Sequence, residues 1–192
     1  MGQRLVVTVE ANGEYIAKLY YHWSAYSISA LTETRDILNC LLDEENPIDD
    51  LRLRLIRFVE NNGGCIDGGK NSSEFKAIQE MYPNETFKED GSRNNGLIAL
   101  TSDGMEDLES WSEGSVLIDL DDGTIFNSVF DMETIDEYNE WYNESVTLED
   151  FNKLDVDIEE IAFEDLDMVI DKLEGLPGYD FENGGRIYVL YA

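Results

Sequence analysis

Basic side chains are scarce in this chain: 13 Lys and Arg stand against 43 Asp and Glu, for a formal net charge of −30. Direct binding of DNA or RNA needs a basic surface. Only Arg52, Arg54 and Arg57 cluster, and they fall on a predicted helix among apolar residues. Nucleic acid is therefore excluded as a direct ligand, and anionic membranes are disfavoured for the same reason. No apolar run approaches the roughly 18–20 residues of a membrane-spanning helix. His22 is the only histidine, which excludes a His-based metal site. Cys40 and Cys65 lie 25 residues apart with no CxxC pattern. That usage predicts reduced, idle thiols rather than a disulfide framework. Proline occurs three times, and Pro47, Pro83 and Pro177 each follow a predicted helix.

Acid is what the chain has in excess, and it is unevenly placed. Residues 1–100 form a near-neutral half with 16 acids and 10 bases. Residues 101–192 hold 27 acids and only Lys153, Lys172 and Arg186, a net of −24. A soluble domain is well served by a net charge of roughly 2–8 in magnitude. Excess like charge destabilises the compact state by self-repulsion. The composition still supports a core, with 42% hydrophobic and 11% aromatic residues. A length of 192 residues predicts a single domain spanning 1–192. The opening residues Met1 to Arg4 lead straight into a strand pattern without a signal-peptide apolar region, which predicts a cytoplasmic protein.

Alternation predicts a strand over 4–10, a type I′ turn at Asn12-Gly13, and a return strand over 14–23. Simple pairing across that turn sets Leu5 opposite Tyr20 and Val9 opposite Ile16 on one face. It sets Val6 opposite Leu19 and Thr8 opposite Ala17 on the other. Both faces are apolar enough to be covered. A helix follows over 27–42 with the stripe Ala30, Leu31, Thr34, Leu38, Leu41 and Leu42. Asp49 or Asp50 caps the next, over 50–62. Further helices are predicted at 73–81, 102–111, 131–143 and 163–174. Thr147 and Asp150 form a capping-box pattern before a short one. Strands are predicted at 96–101, 115–120, 124–130, 155–162 and 186–191, the second and third joined through Asp121-Asp122-Gly123. The sum is an α+β fold: one main, largely antiparallel sheet with helices packed on it, an N-terminal hairpin and a C-terminal closing strand.

Three constellations bear on chemistry. The first is the acidic half. Duplex DNA carries one negative charge per about 1.7 Å of axis, so ~24 charges correspond to roughly 40 Å, or about 12 base pairs. An acidic face of that density presents the phosphate pattern of a short duplex to a basic groove. The candidate partner-binding carboxylates are Asp119, Asp121, Asp122, Asp136, Glu137, Glu140, Glu144, Asp155, Asp157, Glu159, Glu164, Asp165, Asp167 and Asp171. The second is the aromatic run with Tyr20, His22, Trp23 and Tyr26, whose rings are candidates for stacking a nucleobase. The third is Ile118-Asp119-Leu120-Asp121-Asp122-Gly123-Thr124-Ile125. It resembles the first motif of haloacid-dehalogenase-like phosphatases, a strand ending in Asp-x-Asp-Gly-Thr. That resemblance implies Asp119 as nucleophile, Asp121 as acid/base and Mg²⁺ between them. Asp122 is an extra residue, however, and sets Thr124 one place out of register. No catalytic residue, metal or cofactor is otherwise indicated.

Met1-Gly2-Gln3-Arg4-Leu5 and the run Tyr20-Tyr21-His22-Trp23-Ser24-Ala25-Tyr26 resemble uncharacterised proteins of phages and prophages of low-GC Gram-positive bacteria. The resemblance implies a protein acting in the host-cell cytoplasm. By analogy of charge, it implies an inhibitor of a host anti-phage nuclease, of the CRISPR or restriction type, acting as a DNA mimic. The expected partner is then a basic nucleic-acid-binding protein. The alternatives are a small-nucleotide-binding or Mg-dependent phosphohydrolase-like protein, or an accessory protein with a merely solvated acidic surface.

Overall fold

The computed structural model describes residues 4–21, 24–25, 28–62, 65–66, 112–129, 149–150, 153–175 and 187–191. Strand β1 (Leu5–Ala11) turns through Asn12 and Gly13 into β2 (Glu14–Tyr21). Both turn residues have positive φ, 57° and 69°, as a type I′ turn requires. The expected hairpin forms, but its register is corrected. Leu5 pairs with Tyr21, Val6 with Tyr20, Thr8 with Lys18 and Val9 with Ala17. Nearer the turn, Glu10 pairs with Tyr15, so Ile16 is the extra residue of a β-bulge. Its carbonyl accepts a hydrogen bond from Arg52 Nε at 3.0 Å. A one-residue slip exchanges the faces of a strand. The bulge thereby places Leu5, Val7 and Val9 on the same face as Ala17, Leu19 and Tyr21, and all six are buried.

Strand β1 also pairs in parallel with β4 (Gly114–Asp119). Strand β4 continues antiparallel to β5 (Thr124–Asn127) and β5 to β6 (Glu160–Ala162). On the other side, β7 (Ile187–Tyr191) lies antiparallel to β2 and parallel to the two-residue β3 (Cys65–Ile66). The sheet order is β3-β7-β2-β1-β4-β5-β6. Four of its six pairings are antiparallel, so the α+β, largely antiparallel architecture holds. The parallel β1–β4 pair joins residues over 100 apart in sequence. At its start the Arg4 guanidinium makes two hydrogen bonds to Glu113, at 3.2 and 3.0 Å, and the Glu113 N–H donates to Arg4 O at 2.8 Å. Gly114 follows because a Cβ there would meet the Val129 methyl at 3.1 Å and Ala25 Cβ at 3.2 Å.

Helices α1 (Ser29–Leu42), α2 (Leu51–Asn61) and α3 (Leu166–Glu174) share one core with the face made by Leu5, Val7, Val9, Val116, Ile118, Ile125 and Ile161. On α1 the expected stripe is buried except Leu42, which is 53% exposed beyond the last packed turn. Thr34 belongs in that stripe because its hydroxyl donates to Ala30 O at 2.6 Å. Asp50, not Asp49, caps α2, accepting the Leu53 N–H at 3.0 Å. Helix α3 follows a 3-10 turn at Phe163–Asp165 and buries Leu166, Val169, Ile170 and Leu173. The expected strand over 155–162 shrinks to β6. Asp155 has a φ of 52°, and the Asp157 carboxylate takes the N–H groups of Glu159 and Glu160, both at 3.0 Å, which replaces ladder with turn. The expected helices at 73–81, 102–111 and 131–143 and the strand at 96–101 lie outside the described residues. Among those described, no helix is long and apolar enough to cross a membrane.

Two polar groups sit uneasily where α1 meets the sheet. The Tyr21 hydroxyl is fully buried with no hydrogen-bond partner, and burial, then the charges of Glu33 and Asp36, hold it well above its ordinary range. Burial first, and the Asp36 carboxylate second, push the Glu33 carboxyl up to about 7 from 4.5. Between those values the folded chain binds more protons than the unfolded one. Stability therefore falls as pH rises through this window and levels off above about 7. Glu33→Gln should be more stable than the parent at pH 8 by about 1–3 kcal/mol and equal to it near pH 4.5, as read by urea denaturation at both values. Tyr21→Phe should be neutral or stabilising by about 1 kcal/mol at either pH.

Candidate functional site

The turn between β4 and β5 organises one end of the sheet. Leu120 N–H donates to Glu10 O at 3.0 Å, extending the β1–β4 ladder past Asp119. Asp121 then projects towards the neighbouring hairpin. Its two carboxylate oxygens accept the N–H groups of Asn12 and Gly13, each at 2.8 Å. Asp119 Oδ1 turns the other way and accepts the N–H groups of Asp121 and Asp122 at 2.9 and 3.2 Å. Gly123 closes the turn at a φ of 68°, in the left-handed region that a side chain would strain. A phosphatase-type centre needs both carboxylates turned to one shared space. Here each faces the backbone donors of a different turn. Among the described residues, no group of three His, Cys, Asp or Glu is placed to hold a metal ion. The carboxylates that resemble a phosphatase motif are spent on backbone donors.

The same turn gathers acid from three parts of the chain. Phe163 N–H donates to Gly123 O at 3.0 Å, which brings Glu164 and Asp165 beside Asp122. The Asp121 bridge brings Glu14, two residues past Asn12. Glu10 pairs with Asp119 in the β1–β4 register. Glu10 and Glu14 come from the near-neutral half, and only the register reveals them. From this end the acid continues along the β6 edge through Asp155, Asp157, Glu159 and Glu160, and on to Asp167 and Asp171 of α3. Of the expected partner-binding residues, Asp121, Asp122, Asp155, Asp157, Glu159, Glu164, Asp165, Asp167 and Asp171 are exposed and Asp119 is half-buried. Asp136, Glu137, Glu140 and Glu144 lie outside the described residues.

Among the described residues, little positive charge offsets this surface. Asp167, largely exposed, meets the partly exposed Arg35 at 3.3 Å, a pair of small net worth. Lys172 Nζ donates to Leu154 O at 2.8 Å. Among the described residues, Arg52 and Arg54 of α2 are used internally. Arg54 donates to Leu41 O and Asp43 O at 2.8 and 2.9 Å, closing the C-terminal end of α1, and Arg52 holds the bulge. Cys40 is a free, half-buried thiol, its Sγ 3.6 Å from Arg54 O, and burial pushes its pKa up.

Tyr20 is 7% exposed and pairs with Val6 in the sheet, which leaves little of its ring open for stacking. His22, Trp23 and Tyr26 lie outside the described residues. An open groove lies elsewhere on the sheet face opposite the helices. It holds about 460 Å³ and is lined by Val6, Thr8, Tyr15, Leu117, Phe126 and Glu159, with Ser112, Ser115 and Ser128 at one end. Of these residues only Glu159 was a candidate from sequence, because Phe126 and Tyr15 look like ordinary alternating strand positions.

Asp121→Ala leaves two turn donors without a charged acceptor. It should destabilise the fold by about 1–2 kcal/mol in urea denaturation, whereas Asp122→Ala should stay within about 0.5 kcal/mol. No protein-family model, curated protein or solved structure matches the chain.

Proposed function

We propose that this chain is a non-enzymatic protein that occupies the positively charged groove of a nucleic-acid-binding protein, setting carboxylates where phosphates would lie. The observation that supports the reading is the gathering of exposed acid at the turn end of the sheet and along β6. Asp121, Asp122, Glu164 and Asp165 are drawn together by backbone contacts and have no basic partner among the described residues. Their backbones are fixed by turn hydrogen bonds, so the charges are held in place before binding and little ordering entropy is lost on association. A strongly basic groove would be attracted over long range, giving fast association that weakens steeply with salt.

The resemblance of the opening residues to phage proteins makes a host anti-phage nuclease, of CRISPR or restriction type, the first partner class to test. The experiment is capture from host lysate at low salt and at about 0.5 M salt, followed by nuclease competition on the recovered protein. The expected result is a DNA- or RNA-binding protein held at low salt and displaced from its nucleic acid by this chain. Neutralising Asp122, Asp155, Glu164, Asp165 and Asp171 together to Asn or Gln should weaken that competition at least tenfold without unfolding the chain. Undiminished competition by the neutralised variant would sink the proposal.

A further inference from the structure

Phe126 is 39% exposed and Tyr15 is 65% exposed, and these two of the four large exposed hydrophobics among the described residues line one groove. The register explains its shape. On the face away from the helices, Lys18, Thr8, Leu117, Phe126 and Glu160 form one row across β2, β1, β4, β5 and β6. Tyr15, Glu10 and Asp119 form the row beside it, towards the acidic end. The groove thus runs along β1 and β4, with Val6, Thr8 and Leu117 as its floor. Tyr15 on β2 and Phe126 on β5 stand as walls, three strand spacings apart, or roughly 14 Å between backbones.

We propose that this groove binds an extended, basic peptide segment, with apolar side chains on the Val6–Leu117 floor and an arginine or lysine between Phe126 and the carboxylates of Glu159 and Glu160. The inference rests on the proposed basic partner and names the contact that would confer selectivity within it. The groove runs along β1 and β4, a course that an extended segment follows strand-wise. Charge decides the sign. Glu159 lines the groove, Glu160 flanks Phe126, and Glu10 and Asp119 border it. Lys18, the cation in the row, is buried and already lies 5.5 Å from the Tyr15 ring centroid. That contact also illustrates the chemistry, a cation against an aromatic face beside carboxylates. A second copy of this chain is disfavoured as occupant, because each copy carries a net charge of −30.

The test uses the full chain at about 0.15 M salt, where exposed charges beyond about 8 Å are screened. Three labelled hexapeptides serve as probes: alternating Arg-Val, alternating Glu-Val, and Arg alone. Binding is read by fluorescence anisotropy, and the contact by amide chemical shifts. The Arg-Val peptide should bind tightest and shift Thr8, Ser115, Leu117, Phe126 and Ser128. Phe126→Ala, and separately Glu159→Gln with Glu160→Gln, should each weaken it at least fivefold, and by more than they weaken Arg-only binding. Phe126 lies outside the buried core cluster, so these variants should retain parental thermal unfolding. Equal affinity for the Arg-Val and Glu-Val peptides would overturn the assignment. So would shifts confined to Asp121, Asp122 and Glu164, or concentration-dependent dimerisation abolished by Phe126→Ala in sedimentation velocity. Groove binding without nuclease competition would retain this site and reject mimicry. Nuclease competition unaffected by the groove variants, with no peptide bound, would do the reverse.

Discussion

The bulge at Ile16 decides which face of the first hairpin becomes core. Without it, Leu19 would pair with Val6 and turn away from the helices, and Tyr21 would lose its place against α1. With it, the apolar residues of β1 and β2 agree with those of β4, β5 and β6, so one face runs continuously from Tyr21 to Ile161. The bulged carbonyl needs a donor, and Arg52 Nε of α2 supplies it at 3.0 Å. Helix position and strand register are thereby linked: Arg52 of α2 reaches the bulge, and the bulge turns the apolar face of β2 to the helices. Such mutual support between local and long-range contacts gives a single register its energetic gap over slipped ones.

The second constraint is charge. A chain at −30 stays folded only if its acids are kept from repelling one another at close range or are given donors. Among the described residues, backbone N–H groups serve as donors to several of them. Asp50, Asp119, Asp121 and Asp157 each accept from turn or helix-start amides. The scarce arginines go where a carbonyl or carboxylate would otherwise be poorly paired: Arg4 on Glu113, Arg52 on the bulge, Arg54 on the end of α1. Among the described residues, outer acids such as Asp122, Glu164 and Asp165 are exposed to solvent. Glu33 differs: it is held in a poorly solvated place beside Asp36, and burial and that neighbour push it up to about 7.

Much of the fold was legible in sequence because its signals are local. Asn12-Gly13 encodes its turn through the positive φ that these residues tolerate, and Gly123 marks the other turn for the same reason. Asp50 and the α1 stripe were readable from capping and period. The hairpin register was not, since a bulge is chosen by the contacts of distant elements, not by strand alternation. The β1–β4 parallel pair was hidden in the same way, by sequence distance. Charge counting found the acidic half but not the division within it. Asp119, Asp121 and Asp157 look the same in composition as Asp122 or Asp171, yet their oxygens are committed to particular amides. Glu10 and Glu14, from the neutral half, join the acidic end only once Asp121 has bridged the two turns. Tyr20 read as a free aromatic because its burial depends on that same register.

The acidic end and the groove would contribute differently to recognition. Long-range attraction raises encounter rates for any basic surface, and screening removes it over about 8 Å at physiological salt. It carries little information about which basic protein has arrived. A groove with fixed walls discriminates at contact, because an arginine beside Phe126 must exchange its hydration for Glu159 and the ring in a defined geometry. The floor adds apolar burial that salt does not weaken. A partner engaging only the acidic end would lose nearly all its affinity at high salt. One that also fills the groove would keep a salt-resistant remainder. The slope of affinity against salt counts the charges neutralised, and the intercept at high salt isolates the groove. The two surfaces are therefore separable by ionic strength alone, before any residue is changed.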